Sequence, residues 1–117
     1  MQINKYSVNI FYHSPYPNPI IFKKGECVTI GKEFTDDPEW KDWLWCTGEN
    51  NNSAWTPKQF IDRSDDGAFM NRDYNALELT IETGETLTIS EIVNGFGFAT
   101  KENGEQGWAP MKCLQPL

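Results

Sequence analysis

The chain has 117 residues, 38% hydrophobic and 14% aromatic, and a formal net charge of −7. That balance excludes a disordered chain, and the negative sign argues against nucleic acid and anionic membrane surfaces, whose binding depends on Lys and Arg neutralising phosphates. No apolar run approaches the ~18 residues that span a bilayer, and the opening MQINKYSVNIFYH lacks the charged start, apolar stretch and small-residue cleavage site of a leader, so a cytoplasmic setting is expected.

Taken in order, the elements follow a period of two. Val28 and Ile30 alternate with Cys27 and Thr29, the pattern of a half-buried strand. Next comes GKEFTDDPEWKDW, where Pro38 interrupts the densest helical candidate, so a loop is expected, carrying Glu33, Asp36, Asp37, Glu39 and Asp42. Trp43 to Cys46 read as a second strand, GENNNS as a hairpin turn, and Ala54-Trp55-Thr56-Pro57 as the returning strand, followed by a brief helical turn at Lys58-Gln59-Phe60. Further on, Leu87 and Ile89 alternate with Thr86 and Thr88, Phe96 to Ala99 form a strand, KENGEQG turns, and Gly107-Trp108-Ala109-Pro110 leads into Met111-Lys112-Cys113.

These two series are one pattern written twice. Gly25-Glu26 recurs as Gly84-Glu85 at an offset of 59, and Trp55-Thr-Pro57 recurs as Trp108-Ala-Pro110 at an offset of 53, so the first copy holds six extra residues in its acidic loop. Internal repetition decides an architecture before any single residue does. The expected organisation is a first copy over residues 1–63, a polar linker over 64–67 and a second copy over 68–117, each an antiparallel meander.

The motifs resemble those of the Src homology 3 family. Asp73-Tyr74 is similar to the end of its Ala-Leu-Tyr-Asp-Tyr motif, Glu78-Leu79-Thr80-Ile81 with Gly84-Glu85 to its Glu-Leu-Ser-Phe and Gly-Asp, and Gly107-Trp108-Ala109-Pro110 to its Gly-x-x-Pro. Phe96 stands in place of the first residue of its Trp-Trp pair, and the first copy carries the resemblance through FKKGE, Trp43 to Trp45 and AWTPKQFI. It implies an all-β fold of two small five-stranded β-barrels in tandem, each with an aromatic groove of the kind that receives proline-rich, left-handed helical peptides. Carried onto this chain, the first groove would comprise Tyr16, Trp43, Trp55, Pro57 and Phe60, and a second groove Tyr74, Phe96, Trp108 and Pro110. Arg72 and Cys113 replace two of the second groove's tyrosines, which makes the first copy the expected recognition module.

Beside the first groove, Asp36, Asp37 and Asp42 are placed to pair with a ligand Lys or Arg. A single His13 and three cysteines, Cys27, Cys46 and Cys113, without CxxC spacing suggest no catalytic constellation, disulfide framework, metal or cofactor. Pro15, Pro17 and Pro19 recur at every second residue, which is a rigid loop and not a PxxP ligand. The function expected from all this is a non-catalytic interaction module, a monomer or weak oligomer, whose partner is a protein or an extended, proline-containing basic peptide. The alternatives are a structural adaptor with occluded grooves and a cell-wall-binding barrel pair.

Overall fold

The computed structural model describes residues 4–15, 20–33 and 42–117. The protein is all-β, with twelve strands and no α-helix among the described residues. The strands are β1 (Lys5–Val8), β2 (Ile21–Phe22), β3 (Cys27–Glu33), β4 (Trp43–Thr47), β5 (Ser53–Pro57), β6 (Ile61–Ser64), β7 (Gly67–Met70), β8 (Tyr74–Asn75), β9 (Thr86–Val93), β10 (Phe96–Lys101), β11 (Gln106–Pro110) and β12 (Leu114–Pro116). Single 3-10 turns at Lys58–Phe60 and Met111–Cys113 each follow a proline, Pro57 and Pro110, whose ring fixes φ at −59° and −65°.

Three sheets result: one five-stranded in the order β11-β10-β9-β1-β12, one five-stranded in the order β5-β4-β3-β7-β6, and the short pair β2-β8. The five-stranded sheets are open, and neither closes into the barrel expected from the sequence. Two compact units form around them, the first from residues 1–18 and 77–117, the second from residues 19–76.

This division corrects the expected boundaries. Ser64 to Gly67 is not a linker but the turn of a hairpin, because β6 and β7 pair from Ser64–Gly67 to Ile61–Met70 and β7 continues onto β3 through Cys27–Phe69 and Val28–Ala68. The first strand is equally displaced: β1 pairs with β9 and β12 of the other sheet, through Tyr6–Leu87 and Val8–Leu114. In sequence the second unit is therefore one continuous stretch, residues 19–76, that interrupts the first, which is made of residues 1–18 and 77–117. Each break is closed by its own hydrogen bonds. Ala76 N donates to Ile20 O at 2.9 Å beside the β2–β8 ladder, and in the first unit Tyr12 N donates to Ile81 O at 3.0 Å while Ser14 N donates to Thr80 Oγ1 at 3.0 Å.

Within each unit the alternation expected from the sequence directs the core. Val8, Leu79, Ile81, Leu87, Ile89, Ala99, Ala109, Cys113 and Leu114 form one cluster. In the other unit Phe22, Val28, Leu44, Cys46, Thr56, Phe60, Ile61 and Met70 are buried. The registers match position for position: Phe96 faces Pro110 as Trp43 faces Pro57, and Phe98 faces Trp108 as Trp45 faces Trp55. A one-residue bulge passes Ser90 in one sheet and Gly31 in the other, a device that bends and re-aims the strand locally.

Close backbone approach fixes Gly107. A Cβ there would lie 2.9 Å from the Leu77 carbonyl oxygen and 2.9 Å from Leu79 Cγ, and a backbone oxygen cannot step aside. Gly107→Ala is expected to destabilise the protein by roughly 1–3 kcal/mol in urea unfolding. Gly31→Ala serves as the comparison, since its nearest contacts, at 3.4 and 3.5 Å, are with Trp45; there a smaller loss is expected.

Candidate functional site

In the second unit the β4–β5 hairpin sets Trp43 beside Pro57 and Trp45 beside Trp55 on one face, while Leu44, Cys46, Ala54 and Thr56 alternate to the other. Trp43 and Phe60 are 6% and 5% exposed and Pro57 is below 2%, whereas Trp55 is half-buried. Trp55 meets Trp45 edge to face with centroids 5.2 Å apart, and the Lys32 ammonium lies 5.7 Å from its ring. The Arg72 guanidinium sits 4.1 Å over Phe60, so the chain's own cations already lie at two ring faces.

Tyr74 belongs here and not, as expected, with Phe96, Trp108 and Pro110. Its ring packs edge to face on Phe60 at 5.4 Å, its backbone pairs with Phe22, and its hydroxyl donates to Trp55 O at 2.9 Å. The reason is the return of β7 to β3, which carries the following segment into the second unit. In the first unit the corresponding residue is Tyr12, paired with Ile81 as Tyr74 is with Phe22. The sequence held a signal for this exchange in Asn9-x-x-Tyr12 and Asn71-x-x-Tyr74, a second recurrence at an offset of 62. Phe96, Trp108 and Pro110 do gather in the first unit, at 6%, 3% and below 2% exposure, with Trp108 edge to face on Phe98 at 5.3 Å.

Of the acids expected to meet a ligand cation, Asp42 is engaged within the chain. Lys58 Nζ lies 2.8 Å from Glu33 Oε2 and 3.8 Å from Asp42 Oδ1, and the Lys58 backbone N–H donates to Asp42 O at 3.0 Å. The Glu33 hydrogen bond, with the charges of Glu33 and Asp42, holds the Lys58 ammonium above its ordinary pKa. Asp42 has a φ of 72°, a left-handed conformation that its counterpart Gly95, at 87°, adopts without a Cβ. Tyr16, Asp36 and Asp37 lie outside the described residues.

Next to this ion pair is a depression of about 440 Å³ lined by Glu33, Leu44, Lys58, Ile61 and Arg63, which the sequence alone did not indicate. Leu44 and Ile61 are 3% and 9% exposed and give it an apolar floor. Among the described residues no group of three or more His, Cys, Asp or Glu is placed to hold a metal, and no helix is long and apolar enough to cross a membrane. Burial raises the thiol pKa of Cys46 and of Cys113, which keeps both in the less nucleophilic thiol form.

The first unit contains a partly buried carboxyl. Tyr12 Oη donates to Glu78 Oε1 at 2.6 Å, while the Glu78 backbone forms an isolated β-bridge with Trp108. No known family model, curated protein or solved structure matches the chain.

Burial raises the Glu78 carboxyl above its ordinary value of 4.5, with the Tyr12 hydroxyl partly opposing. The folded state thus holds this proton more tightly than the unfolded chain. The associated stability is fully present below the ordinary value and is lost as pH rises through the raised one. Glu78→Gln, which still accepts from Tyr12, is expected to gain stability relative to wild type as pH rises above 4.5. Denaturant titrations at several pH values check it; a constant difference would refute the burial account.

Proposed function

We propose that the chain is a non-catalytic interaction protein, built from two Src homology 3-like units, that acts as a structural adaptor with its ring sets used to hold the fold. The observation that carries this reading is burial: Trp43, Phe60, Tyr74, Phe96 and Trp108 are at most 6% exposed. Recognition of a proline-rich helix requires open ring faces between which prolines can lie. The Src homology 3-like assignment draws support from the five-stranded order shared by the two units and from the 3-10 turn after each proline. The non-catalytic assignment rests on the inventory of one His and three Cys, two of the thiols raised in pKa by burial.

A second reading, peptide recognition by the first ring set, is favoured by the half-buried Trp55 and by the Lys-binding pair Glu33 and Asp42. In it an extended, proline-containing segment lies against Trp55 and sets a Lys or Arg at Asp42, with Asp36 and Asp37 close in sequence. Titration of a basic proline-rich peptide library against wild type, Trp55→Ala and Phe96→Ala separates the two. The adaptor reading expects no saturable binding. Saturable binding to wild type that Trp55→Ala weakens by ≥ ~2 kcal/mol would establish the peptide reading in its place.

A further inference from the structure

Four strands end the two five-stranded sheets, and three of their edges are guarded. β11 is flanked by the 77–79 segment, with Trp108 N donating to Leu77 O at 2.8 Å and Leu79 N donating to Trp108 O at 2.9 Å. On β5 the Trp55 carbonyl accepts from Tyr74, and β12 carries Pro116. The fourth, β6, contains no proline and is uncovered among the described residues, with Asp62, Arg63 and Ser64 exposed.

The direction of its backbone follows from the ladder. Asn71 N donates to Phe60 O at 2.9 Å, so residues 60, 62 and 64 turn their hydrogen-bonding groups toward β7. Residues 61 and 63 turn theirs outward. The Ile61 N–H is taken by Lys58 O, which leaves the Arg63 N–H and C=O and the Ile61 C=O directed off the edge. On this face Ile61 and Arg63 also line the depression floored by Leu44. Lys58 at its rim is already neutralised by Glu33 and Asp42, whereas the Arg63 guanidinium makes no ion pair among the described residues.

We infer that β6 is a docking edge for an extended segment of a partner protein, which adds as an antiparallel strand through Arg63 and carries an acidic residue followed two positions later by an apolar one. The order follows from register. A residue opposite Arg63 presents its side chain on the Arg63 face, where a carboxylate pairs with the guanidinium. Running antiparallel, the residue two further on lies opposite Ile61 and sets its side chain over Leu44 and Ile61. A second copy of this chain fits poorly. With the Ile61 N–H already taken by Lys58 O, hydrogen-bonding parity would set Arg63 against Arg63, or Asp62 against Asp62, of the other copy, and like charges directly opposite are unfavourable. This edge is separate from the ring sets, so the inference stands whether or not they take a ligand.

The test uses the full chain, isotopically labelled, and the peptide acetyl-Ser-Thr-Glu-Thr-Val-Thr-Ser-amide. Saturable amide shifts centred on residues 61–64, with slowed hydrogen exchange at Arg63, are expected. Exchanging Glu and Val in the peptide should weaken binding several-fold, as should Arg63→Ala. Arg63→Pro removes the outward N–H, a position where an edge strand tolerates proline, and should weaken binding about tenfold or more, beyond Arg63→Ala. N-methylation of the peptide's Glu removes the reciprocal donor without altering the protein and should do the same. Absence of binding to wild type, indifference to N-methylation, or shifts centred on Trp43 and Trp55 would overturn the inference.

Discussion

The pairing of β1 with β9 and β12 is the constraint on which the first unit depends. Lys5 to Val8 must meet strands that begin at Thr86 and Leu114, with the whole second unit lying between them in sequence. Closing so long a loop costs conformational entropy that grows with its length. The second unit shortens the effective loop, because its own ends are joined where Ala76 donates to Ile20 and β2 pairs with β8. A continuous segment that folds first would therefore deliver Ser14 and Thr80 to the hydrogen bond they make. Local pairings precede distant ones for the same entropic reason.

What the sequence made legible were the local elements. The hairpins β4–β5 and β10–β11, the turn after each Trp-x-Pro and the offsets of 59 and 53 all concern neighbours in the chain, whose order strand pairing cannot change. The exchange of first strands was hidden because Arg63-Ser64-Asp65-Asp66-Gly67 has turn chemistry, and a turn inside a hairpin and a linker between domains use the same residues. The correcting signal was the recurrence of Asn9-x-x-Tyr12 in Asn71-x-x-Tyr74.

The candidate ring residues were legible by type and not by exposure. A tryptophan's identity gives its size and its indole donor, but what lies over it is decided by segments distant in sequence, as with Arg72 on Phe60. Corresponding positions also differ in charge: Lys32 faces Trp45 where Glu91 faces Phe98. The two sheets thus share a backbone plan and present different electrostatic faces, so one ligand chemistry would not suit both.

Asp42 joins a backbone contact and an ion pair in one residue. Gly95 and Asp42 do the same backbone task, each carbonyl accepting from the first residue of the following 3-10 turn, Met111 or Lys58. Glycine does it without strain, whereas a side chain in the left-handed region costs on the order of 1 kcal/mol. At Asp42 the same residue that bears this cost also sets its carboxylate 3.8 Å from Lys58 Nζ, so the strained backbone position places a charge that glycine at 95 leaves out.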